Sequence, residues 1–220
     1  MTKLTGPERP AVSGEADSLV IFLHGYGADG NDLVGLADPL APHLPNTRFM
    51  APNAPERCVG NPMGYQWFPI PWMDGSSEAQ ALSSAETSFR LLDAFLDEVE
   101  ASGMPPERTV LFGFSQGTMM SLQVGLRRKA PLGGIVGFSG RLLRPETLAG
   151  EITSKPPVLL VHGDADPVVP FASLKEAADT LVTVGVETYA HVSKGMQHGI
   201  APDGLGLALQ FIRAKLGIED

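Results

Sequence analysis

The stretch GFSQG, residues 113–117, places a serine between two glycines that lie two positions away on either side. An apolar run, Thr109-Val110-Leu111-Phe112, precedes it, and a helix-forming run, Thr118-Met119-Met120-Ser121-Leu122, follows. A strand-to-helix turn tight enough to expose a serine hydroxyl crowds the backbone on both sides, so only small residues fit where Gly113 and Gly117 stand. The helix that starts at Gln116 then aims its free N–H groups at the serine. Ser115 is therefore the candidate nucleophile.

A serine at its ordinary pKa needs a base, and the base needs an orienting acid. On a fold with this elbow they follow in the order serine, acid, histidine. His162, His191 and His198 lie downstream. His162 ends an apolar run and His191 alternates inside one, whereas His198 sits in GMQHGI, a loop from which the ring can reach a sheet edge. Of the acids in GDADPVVP, Asp166 is preferred because Pro167 fixes the chain after it, and Asp164 is read as a turn residue. The expected triad is Ser115, Asp166 and His198.

The upstream GYGADG, residues 25–30, admits two uses. As G-x-G-x-x-G after a strand it would cradle a pyrophosphate, but the acid required about 20 positions on is missing, since the next strand ends in Met50-Ala51-Pro52-Asn53. With 25 glycines in the chain, such a match also arises easily by coincidence. The other use is to present backbone N–H groups to a developing oxyanion. The expected donors are the N–H groups of Tyr26 and Gln116. The alternation of His162, Asp164 and Asp166 lacks a second histidine or cysteine at ligand spacing, so no metal and no cofactor is expected. His24 and His162 are read as hydrogen-bonded residues at strand ends.

These groups must be carried by buried strands, for which 19–23, 48–51, 109–114, 134–138, 158–162 and 187–192 qualify. Helical patterns alternate with them. One begins near Asn31. Another has Leu82, Ala85, Phe89, Leu92, Leu96 and Val99 on one stripe. A third opens at Ser173 with Glu176 in a capping-box pattern and turns Leu174, Ala177, Ala178 and Leu181 inward. The last carries Leu205, Leu209, Ile212 and Leu216 and stops at Gly217. Arg127-Arg128-Lys129 is read as cations closing a helix C-terminus. Apolar strands alternating with helices predict a mostly parallel sheet covered on both faces. One domain over 1–220 is expected, with 1–16 an extended arm and 57–77 an irregular aromatic loop. Met63, Trp67, Phe68 and Trp72 of that loop, with Met73 beside them, are expected to wall an acyl chain.

With 43% hydrophobic and 19% charged residues the chain can bury a sizeable core. Its net charge of −9 disfavours nucleic acid and anionic membranes as partners. No apolar leader opens it, no stretch reaches the ~18 residues of a membrane span, and Cys58 has no partner cysteine. A cytoplasmic protein without stable membrane association is expected.

Together VIFLHGYGADG (20–30), RFMAPNAP (48–55), GFSQG, His162-Gly163, DPVVP (166–170) and His198-Gly199 resemble the bacterial carboxylesterase and acyl-protein thioesterase family of α/β-hydrolases. They run through nearly the whole chain in that family's order. The resemblance implies an α/β-hydrolase fold without a large lid domain, the same triad and oxyanion donors, and esterase activity on short- to medium-chain small-molecule esters. Thioesterase or lysophospholipase-type activity is the alternative, and a homodimer is frequent in the family. A hydrolase-like binding protein without chemistry is the remote one. The family more often has leucine where Tyr26 stands, and relatives often carry an aspartate after the aromatic pair where this chain has Pro69-Ile70-Pro71-Trp72.

Overall fold

The computed structural model describes residues 3–218. In chain order its elements are β1 (Glu8–Arg9), β2 (Ser18–Leu23), α1 (Gly30–Val34), α2 (Ala37–Leu40), β3 (Thr47–Met50), β4 (Glu56–Arg57), β5 (Tyr65–Gln66), α3 (Pro71–Asp74) and α4 (Glu78–Ala101). They continue with β6 (Thr109–Phe114), α5 (Gln116–Gly125), β7 (Gly134–Phe138), α6 (Pro145–Glu151), β8 (Val158–Gly163), α7 (Ala172–Thr183), β9 (Thr188–Ser193) and α8 (Pro202–Leu216). The main sheet has the order β1-β3-β2-β6-β7-β8-β9, and all its pairs are parallel except β1 with β3. This is an α/β-hydrolase fold without a large lid.

The apolar runs lack polar alternation because both faces of the sheet are covered, and their period of two decides which helices each residue meets. Val20 and Phe22, with Val110, Phe112, Val136 and Phe138, pack beneath α1, α2 and α8. Leu19, Ile21, Leu23 and Leu111 face the opposite way, against Leu92, Leu96 and Val99 of α4 and Met120 of α5. Each such wholly buried side chain contributes roughly 1.5–3 kcal/mol.

Five local expectations are revised. Residues 3–16 are docked rather than a free arm: β1 adds an antiparallel strand at the sheet edge, Leu4 is buried in the core, and the chain turns at Ala11–Gly14. The 57–77 loop is partly regular, holding β5 and α3, with β4 and β5 paired as a two-stranded hairpin. Ser173 does not cap α7, because turns from Ser173 N–H to the Pro170 carbonyl and from Leu174 N–H to that of Phe171 start the helix earlier and bury Ser173 inside it. Leu82 is 50% exposed, since the first turns of α4 form the rim of the central cleft. Of the basic triplet, Arg127 does close α5 by donating to the Gln123 carbonyl. Arg128 is buried instead, gripping Asp93, Asp97 and Glu100 along α4.

Candidate active site

Ser115 lies between β6, the middle strand of seven, and α5, with φ 55° and ψ −115°. A left-handed conformation is costly for a residue with a Cβ, and here close packing enforces it. A Cβ on Gly117 would overlap the carbonyl of Leu23 at the end of β2, and one on Gly113 would overlap the Gly117 carbonyl. The two glycines thus let β2, β6 and α5 meet closely enough to hold the serine up. Ser115 N–H is tied to the Phe138 carbonyl at 2.9 Å, and Thr118 Oγ1 donates to the carbonyls of Gly113 and Phe138.

The loop after β2 lies against this elbow: a Cβ on Gly25 would stand 3.2 Å from Ser115 Cβ. Gly27 N–H is bonded to the Tyr65 carbonyl and Ala28 N–H to that of Gly25. Among the described residues no acceptor takes the N–H of Tyr26 or of Gln116. The dinucleotide use of this loop meets a physical obstacle. Asp29 caps α1 with its own carboxylate, accepting from Asn31 and Asp32 N–H, and Gly30 N–H is held by Asn53 Oδ1 at 2.8 Å. The donors a pyrophosphate would need are already occupied.

Asp166 and His198 follow the neighbouring strands β8 and β9, and Asp166 Oδ2 lies 2.7 Å from His198 Nδ1. The Asp166 side chain is wholly buried. Burial pushes its carboxyl upward, but hydrogen bonds from His198 and from the N–H groups of Val169 and Val168 outweigh this and hold it below the usual carboxylate range. The His198 ring packs on Phe114, with centroids 4.9 Å apart. Asp164 turns away to accept from Gly195 N–H. His162, buried, has Nε2 at 3.1 Å from the Val169 carbonyl and 3.3 Å from Asp166 Oδ2, so it backs the acid as well as ending its strand.

His24 is buried with Nε2 accepting from Ala54 N–H at 3.0 Å, which leaves Nδ1 as the protonated nitrogen donating to the Gly25 carbonyl. Burial lowers its pKa, while the Gly25 carbonyl and the Asp29 and Asp32 charges partly oppose this.

A cleft of about 480 Å³ opens at Ser115, walled by Phe68, Ile70, Trp72, Met119 and Val169. Two of the four aromatic-loop expectations fall elsewhere. Met63 sits in the hairpin turn, 82% exposed, and Trp67 is wholly buried. Its indole N–H is drawn under β2 by the His24 carbonyl at 2.9 Å, and its own carbonyl accepts from Ser88. Sequence reasoning missed the Gln116 side chain, which accepts from Trp67 N–H at 3.1 Å and donates to the Phe68 carbonyl at 2.8 Å. It also missed Tyr26 O–H, which donates to Asp74 Oδ2 at 3.2 Å and ties the loop after β2 to α3. Burial beside Cys58 and the nearby Asp74 charge raise the Tyr26 pKa, so the phenol stays a donor. No spacing in the chain signals either contact.

Residues 10–216 match the phospholipase/carboxylesterase family. The chain is 31% identical to acyl-protein thioesterase 1 of Gibberella zeae over 222 positions, 94% of each protein. It is 32% identical to acyl-protein thioesterase 1 of Saccharomyces cerevisiae over 213 positions, 91% of this chain and 94% of that one. The crystal structure of esterase PE8 superposes with a TM-score of 0.92 at 49% identity, over 98% of this chain and 100% of that one. Acyl-protein thioesterase 2 of Zea mays superposes with a TM-score of 0.75 at 25% identity, over 96% and 100%.

Proposed function

Because this chain belongs to the phospholipase/carboxylesterase family of α/β-hydrolases, and is thus a serine hydrolase, we propose that it cleaves short- to medium-chain carboxylic esters through an acyl-enzyme on Ser115. The observation that carries the reading is a serine held in the left-handed region at the mouth of the cleft, beside two unbonded N–H groups. His198 Nε2 takes the Ser115 proton as the hydroxyl attacks the carbonyl. Asp166 fixes the ring with Nδ1 protonated and stabilises the imidazolium. The N–H groups of Tyr26 and Gln116 hold the oxyanion. His198 then protonates the leaving alcohol, and water repeats the sequence on the acyl-enzyme. Phe68 and Trp72 form the apolar wall for the acyl chain.

Hydrolysis of 4-nitrophenyl esters from acetate to decanoate tests this. Ser115→Ala should lose roughly 10⁴-fold or more in kcat, and adding His198→Ala should lose little further, because the two act as a unit. Retention of a tenth of wild-type kcat by a folded Ser115→Ala protein ends the proposal.

Thioester cleavage is a second reading, favoured by 31% identity to a protein named as an acyl-protein thioesterase. Comparing S-acyl and O-acyl peptides of one sequence separates the two. The setting that fits is a reducing cytoplasm, where Cys58 remains a buried thiol. No helix among the described residues is long and apolar enough to cross a membrane.

A further inference from the structure

The cleft carries a cation that hydrolysis itself does not use. Arg141 lines it together with Ser115 and Met119, three residues beyond the end of β7. The chain leading to it is fixed. Ser139, at φ 47°, donates its N–H to the Val161 carbonyl at 2.9 Å. Gly140 is packed so tightly on Thr118 that a Cβ would overlap that side chain, while standing 3.1 Å from the Ser115 carbonyl oxygen. The root of Arg141 is thereby held against the nucleophile elbow.

Carboxylates are abundant in this chain, with 25 Asp and Glu against 16 Lys and Arg. Arg48, Arg108 and Arg127 each hold one, and Arg128 holds three. Among the described residues Arg141 has no carboxylate within 4.0 Å and no hydrogen-bond acceptor. Glu78 stands on the same cleft, in the first turn of α4, where the helix N-terminus favours its charge, and no ion pair joins it to Arg141. Most of the remaining wall is apolar, and the Gln116 amide is committed to Trp67 and Phe68. Arg141 is exposed at the cleft, and a guanidinium beside apolar walls offers a planar fork that matches a carboxylate.

We propose that Arg141 is a carboxylate-binding subsite, and that the substrates this enzyme prefers are esters bearing a free carboxylate, such as half-esters of dicarboxylic acids. The proposal rests on the esterase reading and narrows it.

Two matched pairs test it on the full chain. Mono-4-nitrophenyl adipate against 4-nitrophenyl hexanoate places the carboxylate in the acyl half, and 4-acetoxybenzoate against phenyl acetate places it in the alcohol half. Arg141→Gln should lower kcat/KM for the carboxylate-bearing member of at least one pair about tenfold, through KM, with the neutral member unchanged. Arg141→Lys should restore part of it, and added salt should narrow the difference. Equal charged-to-neutral ratios for wild type and Arg141→Gln in both pairs overturn the subsite while leaving the esterase reading intact. Should wild type turn over no ester, that reading fails separately, and binding decides the subsite. The Ser115→Ala protein is titrated with monohexyl adipate against hexyl hexanoate, read by tryptophan fluorescence because Trp72 is exposed on the cleft. Weaker binding of the adipate alone after Arg141→Gln supports the subsite, and unchanged binding overturns it.

Discussion

Replacing Gln116 by methionine separates the two jobs that this residue does with different atoms. In the proposed mechanism the backbone N–H faces the oxyanion, and methionine keeps it. The amide side chain, in a residue 1% exposed, holds the Trp67 N–H at 3.1 Å and the Phe68 carbonyl at 2.8 Å. Methionine matches its length but offers neither bond. Trp67 is wholly buried, so its N–H would lose its partner without water to replace it, at about 1–3 kcal/mol. Phe68 is half-buried on the cleft, where its carbonyl can find water, so its loss is taken at about 1 kcal/mol. The sum, about 2–4 kcal/mol, is a large share of the roughly 5–15 kcal/mol that holds a domain folded. For a chain of this size it lowers Tm by roughly 5–15 °C. The assay is thermal and urea unfolding alongside 4-nitrophenyl ester kinetics. Stability should fall by that amount, kcat on the acetate should stay within severalfold of wild type, and KM should rise for esters long enough to reach Phe68. An unchanged Tm, or a collapse of acetate kcat at unchanged stability, would refute the division of labour.

Two further outcomes are expected. Protonating His24 would turn an N–H on Nε2 against the Ala54 N–H, and burial already lowers its folded pKa below the unfolded value of about 6.5. The unfolded chain then binds the extra proton first, so the His24 contribution to stability is complete above about pH 6.5 and is lost as pH falls from there through the folded pKa. Urea unfolding from pH 5 to 8 should show this decline, and His24→Asn should flatten it; equal slopes for the two proteins would count against a neutral, buried His24. Gly117→Ala should abolish esterase activity and cost about 3 kcal/mol or more, because its methyl would meet the Leu23 carbonyl well under 3.0 Å and only backbone can give way. Near-normal turnover by that variant would mean that the elbow does not need the close approach.

The sheet and the elbow were legible because both are written in short-range terms. Apolar runs without alternation imply cover on two faces, and G-x-S-x-G needs only its own five residues to state its geometry. The contact between Asp166 and His198 spans 32 residues, yet it was readable in outline because each residue follows a predicted strand and parallel neighbours bring such ends together. Trp67 was placed wrongly for an equally physical reason. An aromatic in an aperiodic loop gives no sign of whether it lines a cleft or plugs a core, and here the His24 carbonyl, the Ser88 hydroxyl and the Gln116 amide together hold it in the core. Ser173 shows the same limit at a helix end, where a capping pattern lost to a turn begun by Pro170 and Phe171. Arg141 gave no signal at all, since what marks it is the absence of a partner.

The order of the strands has an evolutionary consequence. Tyr26, Ser115, Arg141, Asp166 and His198 follow β2, β6, β7, β8 and β9, five strands in unbroken succession across the sheet. Each is mounted on its own rail, and the rails are held in register by backbone pairing that does not depend on side-chain identity. The chain beyond Gly140 can therefore lengthen, shorten or change its charge while the chemistry beside it stays in place. A scaffold so divided can exchange one set of customers for another without relearning how to cut.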